Sequence, residues 1–461
     1  MKLQFLGATS TVTGSRFLVS ARGTVLVDCG LFQGYKALRL RNWAPFPVDP
    51  ASIDAVVLTH AHLDHSGWLP RLVKQGFKGP IYSSEATFDL CRILLADSAH
   101  LQEEQAEHAN RYGYSKHAPA LPLYTREDAD RALRRFETKP FDTDWTAAPG
   151  IEARLSPAGH ILGASLVSLR AEGRTIVFSG DLGRANDSIL FAPAPVGPAD
   201  VLVLESTYGD RRHPSTDPFV ELGGIVSRTA ARGGVVLIPS FAVGRAQELL
   251  YGLYRLKASG AIPKALPIYV DSPMATDVTQ IYEHYRGQHR LNRRVFRSMC
   301  TAAKFIATPD ESRALDESKW PMVIISASGM ATGGRVLHHL KRFASDPRNT
   351  ILFAGFQAGG TRGAALVHGA REVKIQGAFV PVRAQVANLE ALSAHADYAE
   401  ILEWLSALTS KPGRIFLVHG EPAAAESLRR RVMDRFGWAC EIPEFGETVD
   451  VRAPAGSAIA S

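Results

Sequence analysis

One short turn places the strongest constraint on this chain, because it concentrates ligand-type side chains directly after a β-strand. The strand is predicted at residues 53–58 (IDAVVL), and LTHAHLDHSG at residues 58–67 contains the turn. Its ligand-type residues are His60, His62, Asp64 and His65. A turn can direct nearly all its side chains into one cavity, which a helix or strand cannot do. A polar surface loop is the alternative, but three imidazoles and an acid within six residues favour a metal site at a sheet edge.

Three further ligand-type side chains follow predicted strands elsewhere. His160 follows SPAG, Asp181 follows TIVFSG, and His419 follows RIFLV. Taken singly, either histidine would more often be a structural residue. With the turn they give seven nitrogen and carboxylate donors, which suit two zinc ions better than calcium or magnesium. The predicted division gives one ion His60, His62 and His160, gives the other Asp64, His65 and His419, and makes Asp181 the bridge.

A pair of zinc ions about 3.5–4 Å apart is a hydrolytic centre, because the ions activate a shared water and stabilise charge on the attacking and leaving oxygens. The turn is therefore predicted to form half of a dinuclear hydrolase site with two zinc ions as its cofactor.

Length and composition indicate a large globular protein. The chain has 461 residues, 46% hydrophobic and 21% charged, so two domains are expected. No apolar run approaches the roughly 18 residues of a membrane span, and MKLQFLGATS predicts a strand and turn instead of a secretory signal. The four cysteines lack CxxC spacing, which favours a reduced cytoplasmic protein over a disulfide framework or a thiolate metal site.

The net charge of +6 is mild and permits a polyanionic partner without requiring one. RLNRRVFRS, residues 290–298, carries four arginines. From that stretch alone, a solvated helix face is favoured over a nucleic-acid contact.

The pattern of predicted elements indicates one domain inserted into another. Residues 1–207 alternate short strands and glycine turns with one long helix. GGVVLIPSF, GRAQELLYGLYRLKAS, LPIYVDSP and PMVIISASGM then alternate strand and helix, which is typical of a parallel α/β layer. Antiparallel strands are predicted to return after residue 370. We therefore predict an α/β fold in which residues 1–207 and 371–461 form a discontinuous domain and residues 208–370 form an inserted domain.

The ligand motifs, in this order, resemble those of the metallo-β-lactamase superfamily: HxHxDH at residues 60–65, then a lone His160, a lone Asp181 and a final His419. The resemblance implies an αββα sandwich with the metals at one edge of two facing sheets. It also implies that Asp28, at the end of TVLVD, orients the histidine turn without ligating a metal.

Within that superfamily the sequence resembles the β-CASP group. LESTYGDR supplies Glu205 at the first signature, LSAHAD supplies His395 at the second, and VHGE supplies His419 at the third. PSFAVGRAQELL, DSPMA and SASGMATGGR resemble the inserted β-CASP domain of RNA-cleaving members, among them the endonuclease subunit of the cleavage and polyadenylation specificity factor. RNA-acting members carry histidine at the third signature, where DNA-processing members usually carry valine, so the resemblance implies RNA.

The match spans essentially residues 1–440. With neither KH-type domains before it nor the C-terminal domain of the ribonuclease J type after it, the sequence is expected to be the short bacterial form.

The resemblance implies a phosphodiester hydrolase whose catalytic residues are His395, Glu205 and Asp64. His395 would protonate the leaving ribose oxygen, Glu205 would keep His395 protonated, and Asp64 would take up the second proton of the water. Taken alone, Glu205 would sooner be an ordinary N-cap or ion-pair acid. Because water attacks instead of the 2′-hydroxyl, the predicted products carry 5′-phosphate and 3′-hydroxyl ends.

A small-residue loop is the predicted second contact with the substrate. SASGMATGGR offers backbone N–H groups beside an arginine, so Ser328, Gly329 and Arg335 are predicted to bind a phosphate away from the metals. A tight strand-to-helix turn, which glycine also serves, explains the motif equally well.

These features predict a zinc-dependent ribonuclease of RNA processing or degradation, which binds single-stranded RNA and no membrane. A small-molecule metallo-hydrolase acting on a lactone or thioester is one alternative, although such a substrate needs no inserted domain. A DNA nuclease is opposed only by His419, and a scaffold with a vestigial site is opposed by the complete ligand set. Internal cutting is the expected mode, and cutting from an end stays open as the alternative. The RNA targets and the oligomeric state stay open, and a homodimer is one of the assemblies considered.

Overall fold

The computed structural model describes residues 1–113, 115–408 and 410–451. The chain divides into two compact units. The first unit consists of Met1–Arg212 and His395–Ser461, and the second unit consists of His213–Ala394. Residues 452–461, which end the predicted discontinuous domain, lie outside the described residues.

Within the described residues, the first unit contains a seven-stranded and a six-stranded sheet. In spatial order the seven-stranded sheet consists of Thr448–Asp450, Lys2–Phe5, Phe17–Ser20, Thr24–Val27, Ala55–Val57, Ile81–Ser83 and Phe136–Thr138. The six-stranded sheet consists of Arg414–Val418, Val201–Glu205, Arg174–Phe178, Ser165–Ala171, Ile151–Pro157 and Trp145–Ala148. Both sheets are mixed, with parallel strands beside antiparallel hairpins.

The apolar core of the first unit lies between these two sheets. Phe17 of one sheet packs on Phe178 of the other with ring centroids 5.7 Å apart, and Phe5 packs on Phe416 at 4.9 Å. Side chains alternate between the two faces of a strand, and Leu26, which lies between two core residues, is also fully buried. The outer face is therefore covered as well, which confirms the αββα sandwich.

The helices of the first unit, as far as the structure describes it, are Lys36–Arg41, Leu63–Ser66, Leu69–Lys74, Glu85–Tyr112, Arg126–Leu133, Tyr398–Ser406 and Pro422–Phe436, with a 3-10 turn at Pro50–Ser52. Side-chain caps fix where several of them begin. Ser84 accepts a hydrogen bond from the backbone N–H of Thr87, and Asp397 forms a capping box with Glu400, as expected of helix N-termini. None of the helices in the described part of the chain is both long and apolar enough to cross a membrane.

The second unit is built on a parallel sheet, which confirms the predicted inserted α/β layer. In spatial order its described strands are Lys304–Phe305, Ile268–Asp271, Met322–Ser326, Val235–Pro239, Thr350–Phe353 and Gln385–Asn388. Each neighbouring pair is parallel. The described helices are Pro218–Ala231, Arg245–Ser259, Pro273–His284, Arg293–Thr301, Pro309–Glu317, Val336–Phe343 and Arg362–Val367, with 3-10 turns at Arg286–Gln288 and Glu390–Leu392.

The second unit extends beyond residue 370, where the sequence pattern places the end of the inserted domain. Glu372–Ile375 and Ala378–Pro381 form an antiparallel hairpin, as the sequence suggests. Gln385–Asn388, however, joins the parallel sheet beside Thr350–Phe353, so residues 371–394 cluster with the second unit. The predicted division into functional domains remains a prediction.

Candidate metal centre

The predicted ligands lie at strand ends of the first unit. The HxHxDH turn follows Ala55–Val57. The other three predicted ligands come soon after strands: His160 after Ile151–Pro157, Asp181 after Arg174–Phe178, and His419 after Arg414–Val418. The last two of these strands run parallel to Val201–Glu205, which lies between them. Their carboxyl ends therefore meet at one edge of the sheet, which is where sites form in α/β proteins.

Four of these side chains form a first group whose ligand atoms all lie within 4.8 Å of one another: His60, His62, His160 and Asp181. Nδ1 of His62 is 3.1 Å from Nε2 of His60 and 3.2 Å from Nε2 of His160. Oδ2 of Asp181 is 3.5 Å from Nε2 of both His60 and His160. The four atoms converge on one point.

A second group, whose ligand atoms also lie within 4.8 Å of one another, consists of Asp64, His65 and His419. Nε2 of His419 is 3.2 Å from Nε2 of His65 and 3.4 Å from Oδ2 of Asp64. Oδ1 of Asp181 lies 3.3 Å from Nε2 of His65, so the two oxygens of this carboxylate face different groups. The structure thus brings the predicted residues together in the predicted arrangement, and their role as ligands stays a prediction.

The spacing of these atoms fits metal ions. Ligands about 2.0–2.1 Å from a tetrahedral zinc ion lie roughly 3.3 Å from one another, and most neighbouring donors here are 3.1–3.5 Å apart. Two neutral imidazole nitrogens that both present lone pairs would repel, unless a proton or a metal ion lies between them. Oδ1 of Asp181 is buried and receives no well-directed hydrogen bond from any described residue. The cluster is therefore suited to bind metal.

Side chains behind the cluster fix which ring nitrogen carries the proton. Nδ1 of His65 is 2.7 Å from Oδ2 of Asp28, which places Asp28 behind the turn, as predicted. The hydroxyl of Thr59 donates to the same carboxylate at 2.8 Å and lies 3.0 Å from Nδ1 of His60. Because the Thr59 hydroxyl donates its only proton to Asp28, it accepts a hydrogen bond from Nδ1–H of His60. Both Nε2 lone pairs are therefore left facing the cluster.

A second threonine orients His419 in the same way. Oγ1 of Thr207 is 3.0 Å from both the carbonyl oxygen and Nδ1 of His419. By donating to the carbonyl oxygen, it can accept from Nδ1–H and leave Nε2 for a metal. The sequence analysis missed Thr59 and Thr207. Their positions directly before His60 and inside LESTYGD are the signals that could have revealed them.

Burial sets the charge of the first group. Desolvation lowers the pKa of His60 and His160 well below the ordinary value and that of His62 to about 4. These three imidazoles are therefore neutral near pH 7, as metal ligation requires. For His65, burial also opposes the charge, but Asp181 and Asp28 outweigh it and raise the pKa well above the ordinary value. Without a metal, His65 therefore carries a proton on both ring nitrogens. A cation that binds Nε2 would have to displace the proton from that nitrogen.

His395 lies beside the cluster and contacts Glu205, the last residue of Val201–Glu205. Nδ1 of His395 is 3.1 Å from Oε2 of Glu205, which is fully buried. The ring centroid of His395 is 4.5 Å from that of His160. Burial disfavours the imidazolium, but the charge and hydrogen bond of Glu205 outweigh it and raise the pKa of His395 to about 9.

Backbone contacts hold the His395 loop. The N–H of Ala396 donates to the carbonyl oxygen of Leu182 at 2.8 Å, and Asp397 caps the following helix. Glu205 in turn accepts from the N–H of Leu182. Leu182 therefore fixes both partners of the His395–Glu205 pair next to Asp181.

The predicted phosphate contact lies in the second unit. Oγ of Ser328 is 3.0 Å from Oγ1 of Thr332, and Gly329 is packed so tightly against Phe241 that a Cβ would clash. Arg335 donates to Oδ1 of Asp271 at 2.6 Å and to the carbonyl oxygen of Ala307 at 3.0 Å. Its guanidinium therefore also holds the end of the loop in place.

Two facing sheets with a buried cluster of histidine and aspartate at one edge are the features of a metallo-hydrolase. Family models support this class over most of the chain. The model of the metallo-β-lactamase superfamily matches residues 14–222, that of the Beta-Casp domain matches residues 246–366, and that of the Zn-dependent metallo-hydrolase RNA specificity domain matches residues 380–443.

Curated relatives match almost the whole chain. Ribonuclease TTHA0252 from Thermus thermophilus is 39% identical over 98% of this chain and 100% of that protein. Transcription termination factor FttA from Pyrococcus abyssi is 32% identical over 98% of this chain and 72% of that protein. A solved structure of an Enterococcus faecalis protein of unknown function shares the fold, with a TM-score of 0.52, 14% identity, and coverage of 97% of this chain and 99% of that chain.

The chain belongs to the metallo-β-lactamase superfamily and, within it, to the β-CASP group. It is a metal-dependent hydrolase of that family, as the sequence motifs predict.

Proposed function

We propose that the chain is a zinc-dependent ribonuclease that hydrolyses phosphodiester bonds of single-stranded RNA, cuts internally, and leaves 5′-phosphate and 3′-hydroxyl ends. The observation that carries this proposal is the pair of converging donor groups that both face Asp181, with the His395–Glu205 pair beside them. The relative named a ribonuclease, 39% identical along the whole chain, supports RNA as the substrate.

The proposed cofactor is a pair of zinc ions, one held by each donor group. When bound, they would supply a nucleophile at neutral pH and neutralise charge at the scissile phosphate. Five imidazoles and two carboxylates form a donor set that zinc favours over calcium or magnesium.

His395 is proposed to protonate the leaving oxygen. Because its Nδ1 is held by Glu205, Nε2 is the nitrogen that remains to donate a proton. A pKa of about 9 keeps the ring protonated at pH 7, and an alkoxide leaving group requires that proton. Asp64, whose Oδ2 lies 3.4 Å from Nε2 of His419, is proposed to accept a proton from the nucleophilic water.

Ser328, Gly329 and Arg335 are the proposed contact with an RNA phosphate. The loop offers a half-buried hydroxyl and backbone N–H groups, and Arg335 places a cation at its end. The proposed setting is the cytoplasm, since all four cysteines are free thiols.

The test is to incubate the purified zinc-loaded chain with end-labelled linear RNA, circular RNA, single-stranded DNA of the same sequence, and a lactone. We expect both RNAs to be cut, with new 5′-phosphate ends. Cleavage of the circular RNA would demonstrate internal cutting, because a circle offers no end from which to begin. Cleavage of DNA alone, or of the lactone alone, would reject the proposal. A chelator-treated sample controls for metal dependence.

A further inference from the structure

The positive charge of this chain is concentrated in one segment. Between Glu283 and Asp310 the sequence contains six basic residues and no acidic one. They are Arg286, Arg290, Arg293, Arg294, Arg297 and Lys304. The whole chain carries a net charge of +6, so outside this basic segment, residues 284–309, acidic and basic residues balance. The net charge of this segment therefore equals that of the whole chain.

The structure places these cations on an exposed surface of the second unit. All six are exposed, whereas Phe296 and Met299 of the helix Arg293–Thr301 face the interior. Neither Arg293 nor Arg294 forms an ion pair with any residue that the structure describes.

Two cations of the segment pair with acids that lie just outside it in the sequence. Arg297 is 3.7 Å from Glu283, and Lys304 is 3.9 Å from Glu311. Both are exposed pairs, which contribute little to the stability of a fold. The positive potential of the helix surface is therefore largely uncompensated.

Two of the arginines lie where they disfavour their own helix. Arg293 and Arg294 occupy the first turn of Arg293–Thr301, which contains no acidic residue. The N-terminus of a helix carries a partial positive charge that favours acids and disfavours cations. A merely solvated face would gain stability from acids or neutral residues here, so this placement argues for a role outside folding.

We propose that the basic segment is a second RNA-contact surface, which binds the phosphodiester backbone of the RNA without reading its bases. This inference rests on the proposed ribonuclease function. A polyanion is the partner that a dense set of exposed guanidinium groups complements, because each contact releases counterions from the backbone. The only aromatic side chain of the helix, Phe296, is 2% exposed, so the helix offers no aromatic surface on which a base could stack.

The test compares the double variant Arg293→Gln/Arg294→Gln with the unmodified chain, both zinc-loaded. Fluorescence anisotropy with a labelled single-stranded oligouridylate, read before any measurable cleavage, gives the affinity at several salt concentrations. We expect roughly tenfold weaker binding at low salt and a log–log salt dependence shallower by about 1 to 2. The melting temperature should be unchanged or higher, because cations leave a helix N-terminus.

The matched control is Arg429→Gln/Arg430→Gln, which removes two neighbouring arginines from the exposed face of Pro422–Phe436, where both contact Glu426. This control should keep the affinity and the salt dependence of the unmodified chain. Equal behaviour of the two double variants would overturn the proposal. Cleavage assays on the unmodified chain separate this proposal from the proposed ribonuclease function. If the ribonuclease function is wrong, the unmodified chain does not cut RNA. If only the contact surface is wrong, the unmodified chain cuts RNA and the double variant binds RNA as tightly as the control.

Discussion

At the residue scale, the chemistry of the site depends on the groups that hold the ring nitrogens. Asp28, Thr59 and Thr207 lie within hydrogen-bond distance of Nδ1 of His65, His60 and His419, where each can accept a hydrogen bond from Nδ1–H. Each histidine is thereby fixed in one tautomer with Nε2 facing the cluster, which is how outer-shell partners raise metal affinity. The two threonines carry no charge, yet the orientation of two of the rings depends on them.

His395→Ala tests the role of the proposed acid. We expect zinc content to be retained, because Nδ1 of His395 contacts Glu205, while kcat for RNA falls by roughly 10²–10⁴ through loss of proton transfer. Metal analysis and single-turnover cleavage measure the two effects. If zinc is lost together with activity, His395 is a ligand instead of an acid.

Asp181→Ala tests the bridge. Since its two oxygens face different donor groups, we expect at least one zinc ion per chain to be lost and cleavage to be abolished. The exposed Asp130 on Arg126–Leu133 provides a control, because Asp130→Ala should change neither quantity. Full zinc content and activity in the Asp181 variant would refute the bridging role.

At the element scale, the histidine turn is held by the segment that follows Thr24–Val27. The N–H of Cys29 donates to the carbonyl oxygen of His65 at 2.7 Å, and that of Leu31 donates to Leu63 at 2.8 Å. Gly30 lies so close to the turn that a Cβ would overlap the carbonyl oxygen of Asp64. Backbone contacts, and not only side chains, therefore position the candidate ligands.

Gly30→Ala should displace this turn. We expect the free energy of unfolding to fall by roughly 1–3 kcal/mol from overpacking, and zinc binding to weaken because Asp64 and His65 move. Chemical denaturation and titration with a zinc indicator measure both. Gly197→Ala is the control, since a Cβ there meets no atom within 4 Å, and equal zinc affinity in the two variants would contradict the proposed constraint.

At the scale of the whole molecule, the second unit has its own buried charge network. His339 lies 2.7 Å from Asp271 through Nε2 and 2.7 Å from Asp316 through Nδ1. Arg335 contacts the same Asp271, so this network joins the DSPMA and SASGMATGGR motifs. Burial opposes protonation of His339, but the hydrogen bonds with the two carboxylates outweigh it and raise its pKa to about 9.

This network predicts how stability depends on pH. A folded-state pKa above the unfolded value near 6.5 means that His339 stabilises the fold fully below that value, and that this contribution is lost as the pH rises through about 9. The difference in melting temperature between the chain and His339→Gln should therefore shrink from pH 6 to pH 10. His338→Gln, at an exposed neighbouring position, should show no such trend. A constant difference for His339→Gln would contradict the protonated triad.

The fold class and the candidate ligands could be predicted from sequence, but some element assignments could not. The resemblance of the ligand motifs to the metallo-β-lactamase superfamily implied the sandwich, and strand–helix alternation indicated the parallel layer. Gln385–Asn388 was harder to assign, because its place beside Thr350–Phe353 depends on a pairing that a local pattern does not encode. Arg335 was predicted only as a phosphate contact, since nothing nearby in the sequence points to Asp271.

Ligand chemistry is local, so the amino-acid sequence was enough to predict the kinds of ligand, their order along the chain and their positions after strands. How those ligands meet is a long-range property. Nε2 of His419 lies 3.4 Å from Asp64, 355 positions away, and Thr207 orients the same ring from 212 positions away. The first contact joins residues that follow strands of different sheets, and the second joins residues that follow neighbouring strands of one sheet. Both exist only in the folded chain, because sheet packing and strand pairing, and not chain proximity, bring distant strand ends to one edge.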